Sequence, residues 1–495
     1  MCSSDLAGAG NLVSGNAGVG VFVGAASSGV QVQGNFIGTD ISGSVAVKND
    51  QEGVVLEGST ALLGGSVPAR RNLISGNGLS GVRITGHKND VQGNFIGPNS
   101  AGTAALANLG TAGVLIQNGT SNRVGVKDDA EGDSGEWNLI SGNSGYGVSI
   151  TAGSGNLVMG NRIGTNSSGA AAIANKLSGV YVSGSSGNLI GTDADGISDG
   201  LERNLISGNL ADGIQLTGAG TYQNVIAGNN IGLAALGAGA LANGGTGIRL
   251  LDYSSQTRIG GGKSAERNLI SGNTGSGIVI TGSNSQGNWI AGNSIGAAAS
   301  GSAAIANGDS GIVVSGATTV VIGTNGDGTA DSTEGNLISG NLLDGIRIEN
   351  GGSGALSGNI IGTKSTGTEA LGNGRWGVNI TGASGVLIGT NSDGVSDNLE
   401  RNLISGNGSD GIRISGANTT ENMVFGNNIG TSLNGQSAIP NNGRGVLLEG
   451  QAKYNMIGGM TAAARNLISG NTAAGVRITG AGTDANRVQM NYIGV

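Results

Sequence analysis

The sequence predicts an all-β chain, a right-handed parallel β-helix solenoid of about 16 coils, with two loop classes inserted in alternate coils. Three observations predict it. The first is a repeated word, Asn-Leu-Ile-Ser-Gly-Asn, beginning at Asn72, Asn138, Asn204, Asn268, Asn336, Asn402 and Asn466, with a Val variant at Asn11; the spacings are 61, 66, 66, 64, 68, 66 and 64 residues. The second is another word between these, Gly-Asn-x-Ile-Gly, which places Asn at 35, 94, 161, 229, 293, 359, 427 and 491. The third is that the residue two places after each of these 16 asparagines is β-branched, from Val13 and Ile37 through Ile468 and Ile493. β-Branched residues pack well on a pleated surface, so this column reads as an inward-facing row, one residue per coil.

Each coil then needs two further strands. One follows the aligned Asn as Gly-[VI]-x-[VIL], for example Gly81-Val82-Arg83-Ile84, Gly213-Ile214-Gln215-Leu216 and Gly411-Ile412-Arg413-Ile414, apolar inside and variable outside with period two. The other precedes the aligned Asn, with Val91, Val158, Ile226, Ile290 or Val488 inside. No 3.6-residue period runs long enough for a helix. Three short strands per coil give a triangular cross-section, and 16 coils at about 4.8 Å each give a rod roughly 75 Å long. The aligned asparagines are expected to stack as an amide ladder in a turn.

Composition bounds the function. Gly is 102 of 495 residues without a Gly-X-Y period, and Pro is only 3, so the chain is neither collagen nor a disordered linker. A net charge of −8 disfavours nucleic acid and anionic membranes, which require basic patches. No apolar run of 18 residues occurs, so no membrane insertion is expected. The single Cys2 excludes a disulfide framework. Residues 1–10 do not match the repeat and read as a non-native start; 11–495 read as one continuous β-helix, truncated at both ends and flanked by other domains of a longer chain.

The pattern N-L-I-S-G-N…G-V-x-I-x-G…N-x-V-x-G-N-x-I-G-T resembles the parallel β-helix repeats of bacterial secreted and surface proteins, related in fold to the pectin-lyase-like superfamily. The resemblance implies an extracellular or cell-surface location. It implies contact with polysaccharide or a host or cell-surface glycan. It leaves function open between adhesins, passengers and stalks on one side and polysaccharide-active enzymes on the other.

Two loop classes interrupt the coils. The first follows Gly-Asn-x-Ile-Gly, as in Gly97 to Asn108 and Gly296 to Asn307; it is small and uncharged and reads as a flap over Leu73, Leu139, Leu205 and Leu269. The second precedes Asn-Leu-Ile-Ser-Gly-Asn. Its short form is Gly260 to Arg267; its long form is acidic and occurs as 191–202, 323–334 and 389–400. The long form resembles EF-hand and thrombospondin type 3 calcium loops, with oxygen ligands at positions 3, 5, 9 and 12, Gly at 6 and a carbonyl at 7. That resemblance implies Ca²⁺ ligands at Asp193, Asp195, Asp199, Glu202 and the carbonyl of Ile197, then at Asn325, Asp327, Asp331 and Glu334, and at Asn391, Asp393, Asp397 and Glu400. Position 1 departs from the family, being Gly191, Gly323 or Gly389. The competing reading is a merely polar Asp-Gly turn. Asp128-Asp129 to Glu136 is acidic but breaks the spacing.

No catalytic residues are assigned. His87 is the only histidine and reads as a surface residue; Arg83, Arg347, Arg413 and Arg477 share an outward position and read as a solvated face. Only 3% of residues are aromatic, and Trp137, Trp289 and Trp376 fall in different contexts, so no sugar-stacking stripe is expected. The reading is a non-catalytic extracellular or cell-surface rod of the adhesin, passenger or stalk type with calcium-stabilised loops and glycan contact. The alternative is a polysaccharide lyase or glycoside hydrolase acting along the β-helix.

Overall fold

A computed structural model describes residues 10–127, 129–237 and 239–495, so the non-repeat start lies outside the described residues apart from Gly10. The chain divides into two compact units, 1–249 and 250–495. Both are built the same way, from three parallel sheets that the chain visits in turn. Sheet A holds the two-residue strands after each aligned Asn, beginning Leu12–Val13, Phe36–Ile37 and Leu73–Ile74 in the first unit and Leu269–Ile270 and Ser294–Ile295 in the second. Each unit contributes eight of these, close to the expected coil count. Sheet B holds the Gly-[VI]-x-[VIL] strands, such as Val82–Ile84 and Ile412–Ser415, and sheet C the strands before each aligned Asn, such as Asp90–Gln92 and Val320–Gly323.

The register follows from the inward column. Ile37 pairs with Ile74, Ile163 with Ile206 and Ile361 with Ile404. Every member from Ile37 to Ile468 is fully buried; a one-residue slip would turn the whole column outward. Val91, Val158, Ile226 and Ile290 are likewise buried in sheet C, while Val488 and Ile493, in the last coil, are exposed.

The amide ladder exists in both units. Within each unit an aligned Asn donates from Nδ2 to Oδ1 of the Asn one coil on, at 2.9 Å for Asn138 to Asn161, 3.1 Å for Asn161 to Asn204 and 3.0 Å for Asn359 to Asn402. Two further ladders accompany it. The closing Asn of the repeated hexapeptide alternates with the Asn that ends the first loop class, as Asn77, Asn108, Asn143 and Asn175 and again as Asn341, Asn373, Asn407 and Asn441. A third runs through Asn89, Asn122, Asn156, Asn188 and Asn224 beside sheet C. These amides replace the water that the buried turn carbonyls would otherwise need.

The first loop class is a closed flap. An antiparallel bridge ties Pro98 to Ala105, Thr165 to Ala172 and Thr363 to Ala370. Successive flaps join through backbone bonds, Ser100 N to Gly43 O at 3.0 Å and Ser365 N to Gly301 O at 3.0 Å. Their inner sides lie against Leu73, Leu139 and Leu205, all buried; Leu269 is buried as well. No helix among the described residues is long and apolar enough to cross a membrane.

Candidate functional site

The three long loops each leave sheet C and return to sheet A. They share one hydrogen-bond scheme. The Glu at position 12 folds back to accept the amide at position 3, Asp193 N on Glu202 Oε2 at 3.2 Å, Asn325 N on Glu334 at 3.3 Å and Asn391 N on Glu400 at 3.0 Å. The Asp at position 5 accepts the amide at position 7, at 2.7 Å from Ile197 to Asp195, Thr329 to Asp327 and Val395 to Asp393. The Asp at position 9 accepts the amide at position 6, at 3.2 Å for Asp199, 2.9 Å for Asp331 and 3.4 Å for Asp397. The equivalence predicted from spacing is therefore present in the folded loops.

The loops part ways at position 3. Asn325 and Asn391 each donate from Nδ2 to the neighbouring Asp327 and Asp393, both at 3.0 Å. Asp193 has no such donor to offer Asp195. In this loop alone among the described residues, three carboxylates converge, with an oxygen each of Asp193, Asp199 and Glu202 within 4.8 Å of one another. Glu202 is buried and Asp193 exposed, so the cluster opens to solvent on one side.

Glycine at position 1 has a structural cause. Gly191, Gly323 and Gly389 are the last residues of sheet C strands, with φ of 109°, 101° and 103°. A Cβ at these positions would lie 1.7, 1.8 and 1.7 Å from the carbonyl oxygens of Ala227, Ser357 and Phe425 in the next coil. The coil repeat forbids any side chain there. A Glu closes the other loops of this class in the same way. Glu136 accepts the amide of Lys127 at 2.7 Å, and Glu266 that of Lys263 at 2.9 Å, in loops that lack the calcium spacing. Asp128, in the first of these, lies outside the described residues.

Burial pushes the carboxyls of Glu136, Glu334 and Glu400 up from their ordinary value. Burial also acts upward on Asp331, but hydrogen bonds from Ser396, Thr324, Gly328 and Asp327 outweigh it and hold its carboxyl low. The Ser396 contact comes from the next long loop, and Gly326 lies against Glu400 of that same loop, so 323–334 and 389–400 stack directly.

A second departure from the repeat lies outside sheet B. Acids just before the strand glycine meet a basic residue one coil on: Glu52 meets Arg83 at 2.9 Å and Asp212 meets Arg249 at 2.9 Å. Asp344 instead meets a neutral amide, Asn379 Nδ2, at 3.3 Å. Asp344 is 0% exposed. Burial raises its carboxyl, opposed by Asn379, by Arg375 and Arg347 and by the Trp376 amide. A raised carboxyl contributes its full stability below the ordinary aspartate value of about 3.9 and loses it as pH rises through the folded value. Asp344→Asn should therefore melt above the unmodified chain at neutral pH, with the gap closing as the pH falls to about 4. Melting curves across that range check it; a pH-independent gap would remove Asp344 as the source.

The outward arginines are less free than a solvated face implies. Arg347 pairs with Asp309 and Glu349, and Arg413 with Glu449. His87 is exposed, with Nδ1 2.8 Å from Thr120 Oγ1.

No family model and no curated relative matches the chain. Among solved structures, a periplasmic alginate epimerase is similar at 13% identity, with 92% of this chain and 79% of that chain covered and a TM-score of 0.41. The A-module of a mannuronan C-5 epimerase from Azotobacter vinelandii is similar at 12% identity, covering 96% and 90%, with a TM-score of 0.32. The Dettilon tailspike protein is similar at 18% identity, covering 75% and 59%, with a TM-score of 0.30. The parallel β-helix itself is read from the chain's own three sheets of parallel strands.

Proposed function

We propose that the chain is a non-catalytic extracellular or cell-surface rod that displays two rows of loops, contacts polysaccharide and binds calcium at the loop 191–202. The observation that carries the reading is the convergence of Asp193, Asp199 and Glu202 within 4.8 Å, in a loop lacking the amide donor of its two sisters. Carboxylates at that range repel one another, and a hard divalent cation offsets the repulsion. The donors are all oxygen, including Asp195 and the Ile197 carbonyl, which suits Ca²⁺ rather than a metal that selects nitrogen or sulfur. Loops 323–334 and 389–400 carry one charge fewer at position 3, and Asn325 and Asn391 must turn from Asp327 and Asp393 to ligate. They rank as weaker sites. A site short of one ligand fills where calcium is abundant, which supports a place outside the cytosol; extracellular modules bind calcium at about 10⁻⁴–10⁻³ M.

The competing reading, a polysaccharide lyase or glycoside hydrolase, needs an accessible acid or base that breaks the repeat. Asp344 breaks it but is wholly buried, and Arg83, Arg347 and Arg413 are held in ion pairs.

The test is a calorimetric calcium titration of the intact chain beside Asp199→Asn. Saturable binding whose tightest site disappears in the variant is expected. Absence of binding, or binding identical in the variant, would overturn the calcium assignment.

A further inference from the structure

The outer face of sheet A runs between the two loop rows, and its corner is set by the residue before each hexapeptide: Arg71, Trp137 and Arg203 in the first unit, then Arg267, Gly335, Arg401 and Arg465 in the second. In the first unit this face is filled. Arg71 lies 4.2 Å from the Phe95 ring centroid, Phe95 packs on Trp137 at 6.0 Å, and Arg162 lies 4.3 Å over Trp137, all beside buried Leu73 and Leu139. In the second unit the same face opens into a groove of about 500 Å³. Its polar lining is Asn398, Arg401, Asn428, Asn434, Arg465 and Tyr492, with no carboxylate among the lining residues. A second concavity, against the long loop 389–400, adjoins it through Asn398 and Arg401.

Arg401 differs from its repeat mates. Arg71, Arg267 and Arg465 each donate Nε to a carbonyl of the next coil, at 3.1, 3.2 and 3.2 Å. Arg401 Nε is buried without a hydrogen-bond partner, and no ion pair holds Arg401 among the described residues. Arg401 is half-buried and lines the groove, and a guanidinium is a rigid fork suited to planar or tetrahedral oxyanions. In a chain of net charge −8, a groove lined by two arginines and no acid stands apart from its surroundings. The three amides and the tyrosine ring supply hydroxyl partners and a stacking surface, which a bare anion would not use. Two arginines are too few for nucleic acid, whose binding needs an extended basic track.

We infer that this groove is a subsite for an acidic sugar, with Arg401 gripping a carboxylate or sulfate group while Asn398, Asn428 and Asn434 take sugar hydroxyls and Arg465 holds Tyr492 in place. The inference rests on the polysaccharide contact proposed above and locates it. Arg465 is a positioning residue; it donates Nη1 to the Tyr492 hydroxyl at 2.6 Å and lies 4.5 Å over the ring.

The experiment is calorimetric titration of the intact chain with four probes: tetragalacturonate, a sulfated carrageenan tetrasaccharide, neutral maltotetraose and inorganic sulfate. One acidic oligosaccharide should bind, and which one distinguishes uronate from sulfate. The neutral sugar and free sulfate should not. Arg401→Gln should weaken binding about tenfold or more, the loss of one hydrogen bond to a charged group. Arg267→Gln, a corner arginine already occupied by the Gly292 carbonyl, should leave binding unchanged; melting curves verify that both variants fold. Acidic-sugar binding untouched by Arg401→Gln would overturn the groove and leave the polysaccharide reading standing. Failure of both acidic sugars, or equal binding of the neutral one or of free sulfate, would overturn the acidic-sugar subsite; failure of every oligosaccharide removes the polysaccharide contact with it.

Discussion

Asn427→Ala is expected to destabilise the chain by about 3–5 kcal/mol, while Asn428→Ala, one residue on, changes stability by less than about 0.5 kcal/mol. Asn427 is fully buried in the first ladder. Its Nδ2 serves the carbonyls of Ile388 and Phe425 at 2.8 and 3.0 Å and Asn466 Oδ1 at 3.1 Å, and its Oδ1 accepts from Asn402 Nδ2 at 2.9 Å. Alanine strands all four partners, and each stranded group costs about 1–3 kcal/mol, less than additively. Asn428 points outward and makes one side-chain bond, to Leu433 O at 2.9 Å. Denaturant unfolding of the pair reads the difference directly. Equal midpoints would mean that the ladder follows from the coil stack without stabilising it.

Gly191→Ala is expected to cost on the order of 4 kcal/mol, and Gly191→Asp at least as much. Aspartate at that position would complete the calcium loop on paper. The new Cβ would instead meet the Ala227 carbonyl at 1.7 Å, on a backbone with φ of 109°. Left-handed backbone costs a non-glycine residue about 1–2 kcal/mol, and pushing the neighbouring coil aside adds about 1–3 kcal/mol. The contrast is Gly196→Ala in the same loop, at φ of 100° but with nothing near the added Cβ. It bears only the backbone term. Melting midpoints of the three variants separate steric clash from backbone strain; a stable Gly191→Asp with tighter calcium binding would refute the clash.

Much of the fold was legible because the coil forces repetition. The isoleucine column and the first ladder stand two residues apart in both repeated words, so the pattern shows without knowledge of the packing. The second ladder was missed because its rungs come from unlike places, Asn77 from the hexapeptide and Asn108 from the end of a flap. Only the stacked coils bring them into line. The shared spacing of the three long loops was equally legible, and the reason for glycine at position 1 was not, since it depends on a carbonyl 36 residues away, Ala227. Arg401 illustrates the limit most clearly. Glu400-Arg401-Asn402-Leu403-Ile404 repeats Glu266-Arg267-Asn268-Leu269-Ile270 letter for letter, yet Arg267 holds a carbonyl and Arg401 does not.

The proposed calcium site is tested most directly by thermal unfolding of the intact chain in calcium and again in excess chelator, with Asp199→Asn alongside. Calcium bound only to the folded loop raises the melting temperature by mass action. Chelator should lower the melting temperature of the unmodified chain and leave that of Asp199→Asn little changed. A melting temperature indifferent to chelator would contradict the proposal and reduce the loop 191–202 to a polar turn closed by Glu202.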